Sequence, residues 1–272
     1  MSLATQARRS PFGHALRHWR QVRGKSQLAL ALDAEVSARH VSFIETGRAH
    51  PSRAMIHTLA TALNVPLRER NTLFVAAGYA PAYRESDLDA PELQPARRAL
   101  DLMLARHEPF PAVVMNRCWD VLLRNRGAEL FFSRLAPASV GRPPRPPNVL
   151  RQMLDPDGLR PAVENWEEVA GALIQRVHRE ALGGTPGSEL QELLEEVLAF
   201  PGVPAAWREP DLSAPLAPLV PVGFRHAGRV FRFFSAVTTL GTAQDVTLQE
   251  LRVESFFPAD GETEAHFTGT FD

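Results

Sequence analysis

A chain of 272 residues suits two domains, and its 44% hydrophobic and 22% charged residues are the balance of a soluble globular protein. No apolar run approaches the roughly 20 residues that a membrane-spanning helix needs, and residues 1–17 lack an apolar signal-peptide core, so we expect a cytoplasmic protein without membrane insertion. The formal net charge of −1 conceals a division, because residues 1–80 hold eleven Lys and Arg against four Asp and Glu, whereas the remaining residues hold 19 against 27.

The basic first part, residues 1–80, predicts a compact bundle of five short helices. Apolar residues at helical spacing, serines at N-cap positions and glycines at helix ends set the limits of these helices. The predicted helices are residues 13–23, 27–33, 38–46, about 52–63 and about 67–77. The surplus of positive charge predicts a polyanionic partner for this part of the chain.

The third of these helices is too short to be stable alone, so packing against the bundle must hold it in place. Val41 and Ile44 have the spacing for that packing. The side chains left to face outward are Ser37, Arg39, His40, Ser42 and Phe43. A DNA major groove accepts a helix of this width, and an arginine can pair bidentately with guanine. The free amides at the start of the helix suit a phosphate.

Residues 26–52 closely resemble the helix-turn-helix of the Cro/C1-type (XRE) repressor family. The resemblance rests on Gln27, the Val36-Ser37 turn, the Ile44-Glu45-x-Gly47 exit and Pro51-Ser52. It implies that residues 38–43 are the recognition segment and that the partner is a double-stranded DNA operator. Gln27 is placed either to contact a phosphate or to brace a recognition side chain. The candidate DNA-binding residues are Gln27, Ser37, Ala38, Arg39, His40, Ser42, Phe43, Arg48 and Arg53.

Glu35 departs from the pattern of that family, which usually has glycine at this position of the turn. If the backbone of Glu35 is left-handed, a glutamate there costs about 1 kcal/mol relative to glycine. We expect the fold to tolerate this cost and the turn to differ in shape.

Gly78, Pro81, Pro91 and Pro95 interrupt regular structure, which predicts a linker at residues 81–95. The sequence before and within it resembles the MmyB-like regulators, XRE proteins whose C-terminal domain is described as ligand-binding. This resemblance rests on the runs Pro66-Leu67-Arg68-Glu69-Arg70-Asn71 and Ala77-Gly78-Tyr79-Ala80-Pro81. It implies a helix-turn-helix domain at 1–80, the linker, and a ligand-binding and dimerisation domain at 96–272.

The second part mixes helical and β patterns. Its predicted helices are residues 92–106, 126–135, 159–182 and about 188–199. Its predicted β segments are residues 110–117, 118–125, 216–226, 230–241 and 247–258, the last with Leu248, Leu251, Val253 and Phe256 as its apolar residues. Residues 141–148 are rich in proline and predict an exposed loop.

Two strands, several helices and three further strands predict one antiparallel sheet of five strands covered by helices. This is the outline of a PAS-like domain, and the MmyB-like resemblance continues through Asn125, Asn148, Arg151, Trp166, residues 242–247, Glu254 and residues 257–260. The predicted fold class is therefore an all-α helix-turn-helix domain followed by an α+β PAS-like domain.

A sheet covered by helices can enclose an apolar pocket with a few polar anchors. The candidate ligand-binding residues are Phe110, Met115, Asn125, Phe131, Phe132, Trp166, Leu173, Arg176, Phe231 and Phe233. Such aromatic stripes are also typical of an ordinary core, so the alternative is a dimerisation or protein-docking module without a ligand. The family resemblance favours a small hydrophobic effector, lipid-like or resembling a fatty acid.

Nothing in the sequence resembles a catalytic motif, because GxSxG, HExxH, a phosphate-binding glycine loop and a CxxC pair are all absent. His178 and His226 have no partner pattern that would bind a metal or haem. The single cysteine, Cys118, excludes an intrachain disulfide and predicts a small buried residue in a reducing cytoplasm. We therefore expect neither enzymatic activity, nor a cofactor, nor a metal site.

These patterns together predict a transcriptional regulator that binds a partly palindromic operator as a homodimer. The two recognition helices would then lie about 34 Å apart along the groove. If the polar face of the third helix served protein contacts instead, the chain would be an interaction scaffold that does not bind DNA.

Overall fold

The computed structural model describes residues 10–135, 147–182, 188–210, 219–241 and 243–269. These residues form two compact units. The described residues up to Ser86 and residues 243–249 belong to the first unit, and the other described residues belong to the second. The segment 243–249 is therefore part of the first unit, although it lies far along the chain within the sequence range of the predicted ligand-binding domain.

The first unit contains a bundle of five α-helices, which confirms the predicted all-α domain. The helices are α1 (Pro11–Val22), α2 (Gln27–Asp33), α3 (Ala38–Glu45), α4 (Arg53–Ala62) and α5 (Leu67–Ala76). Ser37 is the N-cap of α3, and its Oγ accepts a hydrogen bond from the His40 amide at 3.1 Å. Gly47 follows α3 with a φ of 74°, the left-handed conformation expected at a helix end.

The second unit is built on one antiparallel sheet of five strands, which confirms the predicted α+β class. The strands are β1 (Ala112–Met115), β2 (Val121–Arg124), β3 (Val222–His226), β4 (Arg229–Thr239) and β5 (Arg252–Pro258). Their order in the sheet is β2-β1-β5-β4-β3. Because Val113 of β1 pairs with Glu254 of β5, strands from the beginning and the end of the domain lie side by side.

Helices precede, interrupt and follow this sheet along the chain. They are α6 (Gln94–Arg106), α7 (Arg126–Leu135), α8 (Val149–Leu154), α9 (Trp166–Leu182), α10 (Glu189–Leu198), α11 (Val246–Glu250) and α12 (Gly261–Gly269). Buried residues of α7 to α10 and α12 share one apolar core with residues of the sheet. Within the described ranges no helix is both long enough and apolar enough to cross a membrane.

The core of the second unit is aromatic at the middle of the sheet. Phe231 and Phe233 of β4 are buried on the same face of the strand, as their alternation predicted. Phe131 of α7 meets both rings edge-on, with centroid distances of 5.8 and 5.5 Å. These three phenylalanines therefore pack helix α7 onto the sheet.

Two predicted boundaries are wrong. The helix expected at 159–182 begins only at Trp166, because Arg160–Ala162 form a short 3-10 helix and Val163 pairs with Phe224 as an isolated β-bridge before a turn leads into α9. Leu248, expected in the last strand, lies in α11. Helices α8 and α12 were not predicted, and most of the loop expected at 141–148 lies outside the described residues.

Candidate functional site

Helix α3 is held from behind by its apolar residues. Val41 and Ile44 are buried in the core of the first unit, as their spacing predicted. Of the candidate residues at its outer face, Ser37 and Arg39 are exposed, while His40, Ser42 and Phe43 are half-buried. Ala38 also packs partly against the core and so has little free surface. The helix therefore presents a polar side whose position is fixed by the apolar side.

Phe43 is in contact with two arginines on this surface. The guanidinium of Arg39 is 5.1 Å from the centroid of the Phe43 ring, and that of Arg48 is 5.9 Å from it. Within the described residues neither guanidinium makes a hydrogen bond. Their N–H groups are therefore available for an external anion or base edge, while the ring limits where the two cations can lie.

Gln27 braces the end of α3. Its Nε2 donates a hydrogen bond to Glu45 Oε2 at 2.8 Å. Of the two roles predicted for Gln27, bracing is therefore present in the structure, although the group braced is Glu45 rather than an exposed recognition side chain. The second N–H of Gln27 Nε2 is not used in this bond, so a phosphate contact by Gln27 stays a prediction.

Glu45 joins three helices, a role that was not predicted from the sequence. Its side chain has no exposed surface and accepts hydrogen bonds from Arg20 of α1 at 2.6 and 3.0 Å, besides that from Gln27 of α2. Burial alone raises the pKa of this carboxyl, but the bonds from Arg20 and Gln27 outweigh burial and lower it. A Cβ on Gly13 would lie 2.6 Å from the Glu45 carbonyl oxygen, so glycine permits the close approach of α1.

Arg53 is exposed at the start of α4 but rests on its own unit. Its guanidinium lies 5.1 Å from the Phe74 ring centroid and 5.5 Å from that of Tyr79. It also donates to the Ala80 carbonyl at 3.5 Å. Two aromatic rings therefore hold the Arg53 guanidinium in place. The role of Arg53 in DNA binding stays a prediction.

Glu35 is left-handed, with a φ of 54°. The residue is exposed in the turn between α2 and α3, so its side chain gains no packing that would offset the strain. The turn therefore forms with glutamate where glycine would be less strained.

A cavity of about 530 Å³ lies inside the second unit. Its walls are mostly apolar and come from the sheet and from helices α7, α8 and α9. Its volume falls in the range of small-molecule binding sites.

Three of the ten candidate ligand residues line this cavity, namely Phe132, Leu173 and Arg176. The other seven are not among its lining residues, for two reasons. Side chains at the centre of the sheet or beside it are used in core packing: Phe110, Met115, Phe131, Phe231 and Phe233. Two others, Asn125 and Trp166, form hydrogen bonds to the backbone of their own unit.

Asn125 holds the start of α7 to β1. Its Oδ1 accepts hydrogen bonds from the amides of Ala112 and Ala128, both at 2.9 Å, and its Nδ2 donates to Phe110 O at 2.8 Å. The indole Nε1 of Trp166 donates to Met153 O at 2.7 Å. Because these side chains already have partners, the expected anchoring role of Asn125 is replaced by a structural one.

The polar wall of the cavity includes Glu254, which was not among the candidate residues. Burial raises the pKa of Glu254, and this outweighs the hydrogen bond with Ser235 and the positive charges of Arg176 and Arg252. Ser235 lines the same cavity from β4. The signal available in the sequence was a lone acidic residue on the same alternating face of β5 as Phe256.

Arg176, the candidate that does line the cavity, is also tied to the protein. Its Nε donates to Glu180 Oε1 at 3.0 Å, and Arg252 donates to both oxygens of Glu180 at 2.9 Å. The guanidinium of Arg176 also lies 4.8 Å from the centroid of the Trp119 ring. Two cations thus share one carboxylate next to Glu254, so this wall of the cavity is charged. Arg124 and Glu129 are further charged residues of a lining that is otherwise mostly apolar.

Two family models match the chain over most of its length. A model described as the MmyB-like transcription regulator ligand binding domain matches residues 96–268. A model described as a helix-turn-helix domain matches residues 11–73, which include the buttressed helix α3. No curated protein matches the chain.

Two solved structures show partial similarity. The restriction-modification controller protein C.AhdI from Aeromonas hydrophila is 36% identical over 22% of this chain and 92% of its own, with a TM-score of 0.22. An RNA-binding light-oxygen-voltage receptor is 14% identical over 98% of this chain and 65% of its own, with a TM-score of 0.24. Both TM-scores are too low to establish a shared overall structure.

Proposed function

We propose a sequence-specific DNA-binding regulator that responds to a small apolar molecule, because the chain belongs to the MmyB-like transcription regulators. The chain combines a helix-turn-helix domain with an MmyB-like ligand-binding domain. Specific operator recognition, the homodimer and the effector are the parts of this proposal that experiments must decide. We propose no catalytic activity for either domain.

The observation that carries the DNA-binding proposal is the outer face of α3. The guanidinium groups of Arg39 and Arg48 both lie near the Phe43 ring, and neither arginine hydrogen-bonds to any described residue. Buried Val41 and Ile44 fix the helix so that these cations point away from the core. A rigid helix with free guanidinium groups matches what guanine and phosphate recognition require.

Electrophoretic shift with the DNA upstream of the protein's own gene, repeated at increasing salt, tests this proposal. Binding should weaken steeply as salt rises, because arginine contacts to phosphate release counterions. An unrelated duplex of equal length is the control and should bind more weakly at every salt concentration. Equal binding of both duplexes would contradict sequence recognition, and no binding at low salt would favour the scaffold alternative.

We propose that the chain binds DNA as a homodimer on a partly palindromic operator. One helix-turn-helix unit contacts only a few base pairs, so two copies are needed for a specific site of ordinary length. Sedimentation of the protein with and without operator gives the stoichiometry. One copy per operator at saturation would overturn this part of the proposal.

The effector proposal rests on the cavity of about 530 Å³ and on its lining. The cavity combines apolar walls, such as Phe132 and Leu173, with the polar side chains of Arg176, Ser235 and Glu254. This combination suits a small amphiphile. Mass spectrometry of molecules extracted from the purified protein tests for such a ligand. The variant Leu173→Trp, which fills part of the cavity, is the control and should retain less of it.

The alternative function of this domain is dimerisation or protein docking without a ligand. It would be favoured if extraction yields no amphiphile and if Leu173→Trp leaves DNA binding and its regulation unchanged. Comparison of wild type with Leu173→Trp therefore distinguishes the ligand-binding function from the docking function.

A further inference from the structure

The five helices of the bundle in the first unit, α1 to α5, do not all begin in the same way. Helices α1 to α4 each begin after a serine whose hydroxyl accepts a hydrogen bond from an amide of the first turn. The pairs are Ser10 with Gly13, Ser26 with Ala29, Ser37 with His40, and Ser52 with Met55. Helix α5 begins after Pro66, which has no side chain able to accept such a bond. Its first amides therefore need acceptors from elsewhere.

Gln249 supplies one of these acceptors. Its Oε1 accepts a hydrogen bond from the amide of Leu67, the first residue of α5, at 2.7 Å. The two residues are 182 positions apart in the chain. The missing cap of a helix in the DNA-binding unit thus comes from a residue inside the range 96–268 that matches the ligand-binding family.

The segment that carries Gln249 is fixed to the first unit at several points. Asp245 accepts a hydrogen bond from the Ser86 amide at 3.2 Å, and the Thr247 hydroxyl donates to Ser86 O at 2.7 Å. The amide of Val246 donates to Arg84 O at 2.8 Å, and the Val246 side chain is buried. Residues 243–249 are therefore an integral part of the first unit, held by hydrogen bonds and by a buried side chain.

Helix α5 matters for the DNA-binding surface because of what its side chains support. Leu73 and Phe74 of α5 are buried in the core of the first unit. The ring of Phe74 also lies beneath the guanidinium of Arg53, 5.1 Å from it. A shift at the start of α5 would therefore displace side chains of the core. It would also displace the ring that supports Arg53, a candidate DNA-binding residue.

The same segment is continuous with two walls of the cavity. It is the connection between β4, which carries Ser235, and β5, which carries Glu254 only five residues after Gln249. A molecule that displaces β4 or β5 would therefore move the end of the connection that is joined to that strand. A short, anchored connection transmits such a displacement better than a loose one.

We propose that Gln249 is a positioning residue of the DNA-binding unit, and that residues 243–249 carry the response to the effector from the cavity to α5. The first part stands on the hydrogen bonds of the first unit alone. The second part rests on the proposed function, because it requires that a molecule bind in the cavity.

Hydrogen exchange of the full-length protein tests the capping role. In Gln249→Ala the Leu67 amide loses its acceptor and should exchange at least about fivefold faster, the effect of losing a typical helix cap. Gln249→Glu keeps an acceptor next to the positive end of the helix and should preserve protection. Gln244→Ala is the matched control, because Gln244 is an exposed glutamine of the same segment and makes no hydrogen bond to a described residue. Unchanged exchange in Gln249→Ala would overturn the role.

DNA titration with and without dodecanol tests the transmitting role. Wild type and Gln244→Ala should change their operator affinity when the alcohol is added, whereas Gln249→Ala should bind the alcohol equally well and lose the response. A full response in Gln249→Ala would overturn the proposal. If dodecanol fails to bind wild type, the effector function and the transmitting role both fail, and the exchange experiment still decides the capping role by itself.

Discussion

Arg20 and Glu45 form a two-point ion pair inside the first unit, with Arg20 Nε 2.6 Å from Oε1 and Nη2 3.0 Å from Oε2. Only 12% of the Arg20 side chain and none of the Glu45 side chain is exposed. The pair links α1 to the last residue of α3, so the orientation of the recognition helix depends on a buried charge.

Glu45→Gln should therefore destabilise the first unit strongly. Removing one partner of a buried ion pair leaves the other charge unpaired and costs about 3–5 kcal/mol. Urea unfolding followed by the fluorescence of Trp19, with the other tryptophans replaced by phenylalanine, measures the change. Arg17→Ala is the control: Arg17 is 48% exposed and 3.4 Å from Glu45, so its loss should cost less than about 1 kcal/mol. Equal losses in both variants would contradict this ranking.

The same carboxyl predicts a pH dependence of stability. Because the pKa of Glu45 is lowered on folding, its contribution is fully present above the ordinary glutamate pKa of about 4.3 and is lost as the pH falls through the lowered value. The free energy of unfolding of wild type should therefore approach that of Glu45→Gln as the pH falls below about 4. Unfolding curves of both proteins between neutral and acidic pH give this difference. A constant difference would mean that the charge of Glu45 is not what stabilises the unit.

Glu35→Gly should stabilise the first unit. The φ of 54° at Glu35 strains the backbone of an exposed residue, and glycine relieves this strain by up to about 1 kcal/mol. Thermal unfolding measures the gain. Asn64 has a φ of 47°, and asparagine tolerates this conformation better, so Asn64→Gly should gain less. A loss of stability in Glu35→Gly would show that glutamate contributes something at this turn beyond its backbone.

Local sequence signals were sufficient for the helices of the first unit. Serine caps, apolar spacing and glycine stops act within a few residues, and the observed α2, from Gln27 to Asp33, has the predicted limits. The alternation of Phe231 and Phe233 in β4 is equally local. Because these patterns depend only on neighbouring residues, they were sufficient to predict the fold classes of both units.

The features that the sequence did not reveal depend on residues far apart in the chain. Nothing near Leu67 indicates that Gln249 will accept its hydrogen bond, and nothing near Glu45 points to Arg20. The division of the aromatic residues between core and cavity has the same cause. Phe131 and Phe132 are adjacent, yet only Phe132 lines the cavity, because the depth of each ring is set by the helices that cover it.

Glu254→Gln should make the second unit more stable near neutral pH. Since burial raises the pKa of Glu254, ionising this group opposes folding, and stability is lost as the pH rises from the ordinary glutamate pKa towards the raised value. The gain should therefore disappear in acid, where both proteins are uncharged at this position. Unfolding of the two proteins at several pH values tests this. Glu129→Gln is the control for removing a carboxylate from the lining, because Glu129 lines the same cavity but is 61% exposed.

Arg39→Ala should weaken operator binding by about 1–3 kcal/mol and relax the preference at one base pair if Arg39 reads a guanine. The contact of Arg39 with Phe43, at 5.1 Å, favours base reading, because it confines the guanidinium to one region of the recognition face. Binding assays with every single substitution in the operator measure the preference. Arg53→Ala is the comparison: Arg53 lies at the start of α4 over Phe74, and its loss should weaken all operator variants alike and reduce the salt dependence. If Arg39→Ala also weakens all variants alike, Arg39 contacts a phosphate, and the specificity must come from another residue of α3.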